Sequence, residues 1–175
     1  MTMLLSTTVL ALIVSGSLAA QQPDFSGSWK LNPAMSDTTP MGAPPRGDAP
    51  GGGRPGMGGG RGMMMATEVF ITQLTSRMTI EQKFGERART STYSLDGSES
   101  RNVGMAGADF VTTSGWEGST IVTKGRNSFK TPMGDMTIES NEVRSISEDG
   151  KQMTVETTIV SPRGTNKRKL VYDKQ

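Results

Sequence analysis

The sequence contains neither cysteine nor histidine. Without them the chain cannot build a Ser-His-Asp triad, a cysteine nucleophile, a usual zinc site or an axial His or Cys ligand to haem. It also cannot form disulfide bonds, so its core must hold the fold unaided. The net charge of +2 indicates no strong attraction to nucleic acid. We therefore expect a protein without cofactor, metal or nucleic-acid partner.

Carboxylates are the acid–base groups that these absences leave for catalysis. Glu139, Glu142, Glu156 and Asp109 are candidates for a glycosidase-like pair, but no spacing singles out two of them. Acids on strands are usually part of a solvated face. The sequence therefore predicts a protein that is not an enzyme.

The first 20 residues, MTMLLSTTVLALIVSGSLAA, are mostly apolar and uncharged. Their apolar core has signal-peptide length and is too short for a confident membrane span. No Lys or Arg precedes it, but cleavage after Ala19 or Ala20 fits the small residues there. We predict a cleaved signal peptide at 1–20, with an uncleaved anchor as the alternative. Residues 21–175 would then form one periplasmic or secreted domain that does not insert into a membrane.

Residues 33–65 consist largely of Gly, Pro, Met and Arg. This composition cannot recover its ordering entropy by burial, so it predicts a disordered insertion between two strands. A formal Gly-x-Gly-x-x-Gly match at 51–56 has neither a preceding strand nor a following helix, so it does not indicate a dinucleotide site. Thioethers of the insertion suit Cu(I) and make copper binding one alternative function; they belong to Met35, Met41, Met57, Met63, Met64 and Met65.

The remainder of the chain has the composition of β-strands, with frequent Thr, Val, Ile and aromatic residues. Asp-Gly and related pairs separate the runs and indicate hairpin turns. Candidate strands are 25–31, 67–74, 77–84, 87–95, 109–116, 119–126, 135–146, 152–160 and 166–173.

Apolar residues alternate with polar ones in several of these strands, which is typical of a sheet with one buried face. Eight or nine such strands with short links predict an all-β, antiparallel up-and-down barrel, because closure removes both edges of the sheet. A β-sandwich is the alternative. The side chains expected to face the interior are Met78, Ile80, Phe84, Tyr93, Phe110, Trp116, Met136 and Met153.

The order of five segments resembles that of small secreted bacterial lipocalin-like proteins of the calycin group. The segments are DFSGSWKLN, TYSLDG, SGWEGSTIV, SISEDGKQMTV and KLVYDKQ. The resemblance covers 24–32 and about 66–175, and it implies a barrel that holds an apolar or amphipathic ligand. It also implies that Gly27 and Trp29 close one barrel end, with Arg168 packed across the tryptophan and Lys169 or Arg163 as substitutes.

The predicted function is therefore that of an exported, non-catalytic binding protein with a small hydrophobic ligand in the barrel. A barrel filled by its own side chains, acting as a structural or interaction protein of the cell envelope, is the main alternative. The open volume inside the barrel separates the two, because a ligand site needs several hundred Å3.

Overall fold

A computed structural model of the chain describes residues 22–38, 65–104, 107–132, 134–162 and 164–175. Within these ranges the chain forms antiparallel strands and one short 3-10 turn, Pro33–Met35. The strands are β1 (Gly27–Leu31), β2 (Glu68–Leu74), β3 (Arg77–Phe84), β4 (Arg87–Ser94), β5 (Asp96–Val103), β6 (Asp109–Glu117), β7 (Thr120–Thr131), β8 (Gly134–Ile146), β9 (Gln152–Ser161) and β10 (Gly164–Lys174). No helix in these ranges has the length and apolarity needed to cross a bilayer.

The strands form one sheet in which neighbours in sequence are neighbours in space and the first strand pairs with the last. The order is β4-β3-β2-β1-β10-β9-β8-β7-β6-β5. The sheet curls until its two end strands, β4 and β5, meet, which gives a nearly closed up-and-down barrel. The predicted all-β antiparallel barrel is confirmed, with ten strands instead of eight or nine.

The seam between β4 and β5 is joined by side chains, since the described residues form no backbone ladder there. The Asn102 amide accepts a hydrogen bond from Thr92 N at 2.8 Å and donates one to Thr92 O at 2.9 Å. Ser100 Oγ accepts a further bond from Ser94 N at 2.8 Å. These side chains satisfy strand-edge groups that would otherwise be open to another chain.

Strand β5 is the element that the sequence pattern did not predict. Its side chains are polar or charged almost throughout and none is buried, so it lacks the alternation that identified the other strands. Asp96-Gly97 was expected to be a simple hairpin turn. Instead Gly97 has a φ of 84°, and the pairing with β6 shifts register between Asp96 and Glu99. The Asp-Gly pair is part of a bulge that begins β5.

One end of the barrel is closed by a buried cluster around Trp29, whose side chain is fully buried. Trp29 Nε1 donates a hydrogen bond to the carbonyl of Phe25 at 2.9 Å. The Phe25 ring in turn packs against Trp116, with ring centroids 6.0 Å apart. We call these three residues the closed end.

The start of the predicted insertion makes specific contacts with β10. The Asn32 side chain caps the turn Pro33–Met35 by accepting a hydrogen bond from Met35 N. Asp37 then exchanges backbone and side-chain hydrogen bonds with Lys169, at 2.8 and 2.9 Å. The predicted signal segment 1–20 and the rest of the insertion, 39–64, lie outside the described residues, and both assignments stay predictions.

Candidate functional site

A cavity of about 620 Å3 occupies the barrel interior and opens to solvent on the side away from the closed end. This volume lies in the range of small-molecule binding sites. The wall is largely apolar, because inward positions of most strands carry aliphatic or aromatic side chains. Its apolar members are Ala66, Val69, Phe84, Ala88, Phe110, Ile138, Met153, Val155, Ile159 and Leu170.

Half of the side chains predicted to face the interior line this cavity. They are Phe84, Tyr93, Phe110 and Met153. Each of these four side chains lies on the inward-facing side of its strand.

The other four predicted interior residues lie outside the cavity wall. Met78 and Ile80 are almost completely buried in the core, and Trp116 belongs to the closed end. Met136 is half-buried near the start of β8. An alternating pattern predicts which face of the sheet a side chain occupies. It does not predict at which height in the barrel the interior is filled by side chains and at which it is open.

Arg168 lines the cavity instead of packing against Trp29, which corrects the predicted pairing. The register of β1 on β10 places Trp29 opposite Lys174. Lys174 Nζ lies 5.2 Å from the centroid of the indole ring, in cation–π geometry. Its Cε would lie 3.3 Å from a Cβ at Gly27. Arg168 faces the same side of β10 as Lys174, but it lies about 20 Å from Lys174 along the strand, at ~3.3 Å per residue.

Of the two substitutes predicted for Arg168, the structure describes Lys169 alone, and this residue lies away from Trp29. Lys169 is exposed on the outer face, where its backbone pairs with Asp37. Arg163 lies outside the described residues.

A buried ion pair on β8 projects into the cavity. Arg144 is only 3% exposed, and its Nη1 lies 2.5 Å from Glu142 Oε1. This contact is not aligned as a hydrogen bond, and Nη1 makes none with any described residue. The guanidinium also lies over the ring of Tyr93, 5.9 Å from its centroid. Arg144 is therefore ion-paired inside the barrel without an aligned hydrogen bond from Nη1.

Both tyrosines of the chain line the cavity beside this pair. Burial raises the pKa of Tyr93 above its ordinary value, and it raises the pKa of Tyr172 to about 12. The Tyr172 hydroxyl donates a hydrogen bond to the carbonyl of Ala66 at 3.3 Å. Both phenols therefore stay neutral at physiological pH.

Arg168 completes the polar part of the interior. Burial lowers the pKa of its guanidinium, while Tyr172, Glu142 and Asp37 oppose that shift. An arginine stays protonated under these conditions because its ordinary pKa lies so far above neutrality. We call Arg144, Arg168, Glu142, Tyr93 and Tyr172 the interior polar cluster.

Sequence reasoning missed Arg144 and Glu142 because the interior was expected to be apolar. The sequence did contain a signal, because every second residue of a strand faces the same side of the sheet. Glu142 and Arg144 therefore face the same side of β8 as Met136 and Ile138. A charged pair in such a series is informative, since buried charges are rare unless they are paired or functional.

The open end of the cavity carries further polar groups. Arg87, Arg89 and Gln82 line it from β3 and β4, and the Arg89 guanidinium donates to the carbonyl of Val103 across the seam. Asn127 lines it from β7. The entrance is therefore positively charged.

The carboxylates considered for acid–base chemistry do not face one another. Glu142 points inward, whereas Glu139 and Glu156 are exposed on the outer face. Among the described residues no group of three acidic side chains is close enough to hold a metal ion.

Few of the predicted Cu(I) ligands lie in the described part of the chain. Met65 packs against the hydrophobic core. Met35 is 52% exposed, and its sulfur lies 3.5 Å from the Gln152 amide nitrogen. The other four, Met41, Met57, Met63 and Met64, lie outside the described residues.

Comparison with known proteins gives similarity in structure alone. No family model and no curated protein matches the sequence. A solved structure titled REP1-NXSQ fatty acid transporter superposes with a TM-score of 0.55 over 86% of this chain and 95% of the other, at 14% identity. At that identity the likeness shows a shared barrel fold.

Two further solved structures are similar over a smaller part. Zebrafish ileal bile acid-binding protein, complexed with cholic acid, has a TM-score of 0.47 and 18% identity over 62% of this chain and 72% of the other. Secretory abundant heat soluble protein 4 from Ramazzottius varieornatus has a TM-score of 0.42 and 17% identity over 62% and 68%.

Proposed function

We propose that this protein is a non-catalytic binding protein that holds an amphipathic monoanion, such as a long-chain carboxylate, inside the barrel. The observation that carries the proposal is the buried guanidinium of Arg144, which lines the cavity and whose Nη1 is ion-paired with Glu142 but makes no aligned hydrogen bond. A guanidinium has five N–H donors, so a carboxylate oxygen of the ligand would accept a short, charge-assisted hydrogen bond from it.

The charged groups of the interior polar cluster favour an anionic head group on the ligand. Glu142 is ion-paired with Arg144, and both Glu142 and Asp37 act electrostatically on Arg168. Guanidinium groups offer several N–H donors in a planar arrangement that matches a carboxylate.

The rest of the cavity suits an apolar chain. Phe84, Phe110 and Ile159 are among the wall residues between the polar cluster and the opening. The neighbour in fold is described as a fatty acid transporter, which supports a ligand of this class. The open volume also speaks against the alternative of a barrel filled by its own side chains.

A displacement assay tests this proposal. Hexadecanoate and hexadecanol are each used to displace a polarity-sensitive fluorescent amphiphile from the protein. Wild-type protein should bind hexadecanoate more tightly than the alcohol. Arg144→Met should weaken the affinity for hexadecanoate by about ten- to a hundredfold, because a hydrogen bond to a charged group contributes about 1.5–3 kcal/mol. The affinity for hexadecanol should stay nearly unchanged.

Arg126→Met is the matched control. Arg126 also pairs with a glutamate, Glu139, at 3.8 Å, but on the exposed outer face of the barrel. Its loss should leave both affinities at the wild-type level. Equal affinities for acid and alcohol in the wild type, or equal weakening by the two Arg→Met variants, would contradict the proposal.

We also propose that residues 1–20 direct export and are removed, so that binding takes place in the cell envelope or outside the cell. The uncharged apolar segment and its small residues before Gln21 support this. Expression of the whole chain in a Gram-negative host, followed by fractionation and intact-mass measurement, tests it. A periplasmic product that begins at Ala20 or Gln21 is expected; an uncleaved chain in the cytoplasm would contradict it.

A further inference from the structure

A buried amide oxygen without a hydrogen bond lies in the cavity, far from the interior polar cluster. Asn127 on β7 is 4% exposed and lines the cavity, and its Oδ1 makes no hydrogen bond with any described residue. Its neighbours across the sheet are Phe110 on one side and Ile138 on the other. An amide acceptor is thus set between two apolar side chains.

The Asn127 side chain also has a defined position. A Cβ at Gly104 would lie 1.7 Å from Asn127 Nδ2, so the absence of a side chain at Gly104 makes room for the amide. With Nδ2 on that side, Oδ1 is directed away from Gly104. Buried amides nearly always have hydrogen-bond partners in folded proteins, so this atom calls for one.

Asn127 and Arg144 lie at opposite levels of the cavity. Asn127 is level with Ile138, and Arg144 lies six residues farther along β8. At ~3.3 Å per residue this is about 20 Å of strand, which is the order of length of an extended long-chain acid. The wall residues between these two levels on β8 and β9 are mixed, since Ser140, Glu142 and Thr157 are polar and Ile159 is apolar.

We propose that the cavity selects an amphipathic acid with a hydroxyl group at the far end of its apolar chain, and that Asn127 binds this hydroxyl. The proposal rests on the proposed function, because the anion at Arg144 fixes which end of the ligand reaches Asn127. A hydroxyl both donates and accepts, so it satisfies the amide whichever of its two ends faces the cavity. A plain hydrocarbon end leaves the amide buried and unsatisfied.

The test compares hexadecanoic acid with ω-hydroxyhexadecanoic acid in the same displacement assay. The measured quantity is the ratio of their dissociation constants, which removes the intrinsic difference in hydrophobicity when variants are compared. Asn127→Leu should shift this ratio about tenfold or more towards the plain acid. Asn141→Leu, the same change at an exposed asparagine on the outer face of β8, should leave it unchanged.

A measurement on the wild-type protein covers the case in which Asn127→Leu does not fold. In 15N-labelled protein the hydroxy acid should shift the side-chain amide resonances of Asn127 much more than the plain acid does. Equal shifts with both acids, or an unchanged ratio in Asn127→Leu, would overturn the assignment of Asn127 and leave the proposed function standing. Failure of both acids to bind the wild type would overturn both proposals.

Discussion

Arg144 and Glu142 form the charged pair inside the barrel, and their energetics are separable from ligand binding. Removing one member of a buried pair leaves the other charge uncompensated, whereas replacing both is often nearly neutral. We expect Arg144→Met to lower the free energy of unfolding by about 3–5 kcal/mol. Glu142→Gln combined with Arg144→Met should recover most of that loss. Urea unfolding of both variants measures this; equal losses in the two would mean that the pair is not coupled.

The buried phenol of Tyr172 gives a prediction about pH. Its pKa is raised from 10.0 to about 12, mainly by burial. Below pH 10 the group is protonated in both states. As the pH rises from 10 to 12 only the unfolded chain loses the proton, so stability falls by about 2–3 kcal/mol. Urea midpoints of wild type and Tyr172→Phe across this range measure it. Parallel pH profiles for the two proteins would contradict it.

Along the strands, Gly125 on β7 provides space for the Phe110 ring. A Cβ at Gly125 would lie 2.5 Å from the ring and 2.7 Å from Ser140 Oγ. Gly125→Ala should therefore destabilise the fold by about 1–3 kcal/mol and weaken ligand binding, because Phe110 must move into the cavity. Thermal unfolding and the displacement assay measure the two effects.

Gly115→Ala is the control for Gly125→Ala. At Gly115, on the neighbouring strand β6, the nearest atom to an added Cβ is the Leu95 carbonyl oxygen at 4.0 Å. This change should be close to neutral or slightly stabilising. Equal effects of the two substitutions would mean that contact with Phe110 is not the cause.

The seam between β4 and β5 depends on Asn102, whose amide takes the place of a backbone pair opposite Thr92. Asn102→Ala should remove this link and speed the hydrogen exchange of the amides of Thr92 and Ser94. Thr79→Ala, which removes only a 3.5 Å hydroxyl contact to Thr92, is the control. Unchanged hydrogen exchange in Asn102→Ala would mean that the seam stays closed without the hydrogen bonds of Asn102.

The sequence predicted the strands that have one apolar face, and it failed where that signal is absent. Strand β5 is polar on both faces, so no alternation revealed it. The partner of Trp29 was misassigned because the register of β1 on β10 is a long-range property, which places Lys174 and not Arg168 at that level. Arg144 was missed because a charged side chain was assumed to be exposed to solvent. Its position in the alternation of β8 is nevertheless that of the inward-facing residues.

For the barrel as a whole, the apolar wall and the interior polar cluster are parts of one site. The closed end blocks one side, the cationic residues Arg87 and Arg89 line the other, and the buried guanidinium of Arg144 lies between them. A positively charged entrance attracts anions and favours their association at low ionic strength. This arrangement is consistent with the anionic ligand that we propose.

We expect the carboxylate of a bound ligand to pair with Arg144 inside the barrel. The most direct test is NMR of hexadecanoate labelled with 13C at the carboxyl carbon and bound to the protein, followed as the pH is lowered. A carboxylate beside a guanidinium has a depressed pKa. The resonance of the bound carboxyl should therefore keep the chemical shift of the ionised form at pH values well below about 4.3, the ordinary pKa of a glutamate carboxyl. Arg144→Met should abolish this behaviour. A bound carboxyl that titrates at or above that value in the wild type would contradict the account.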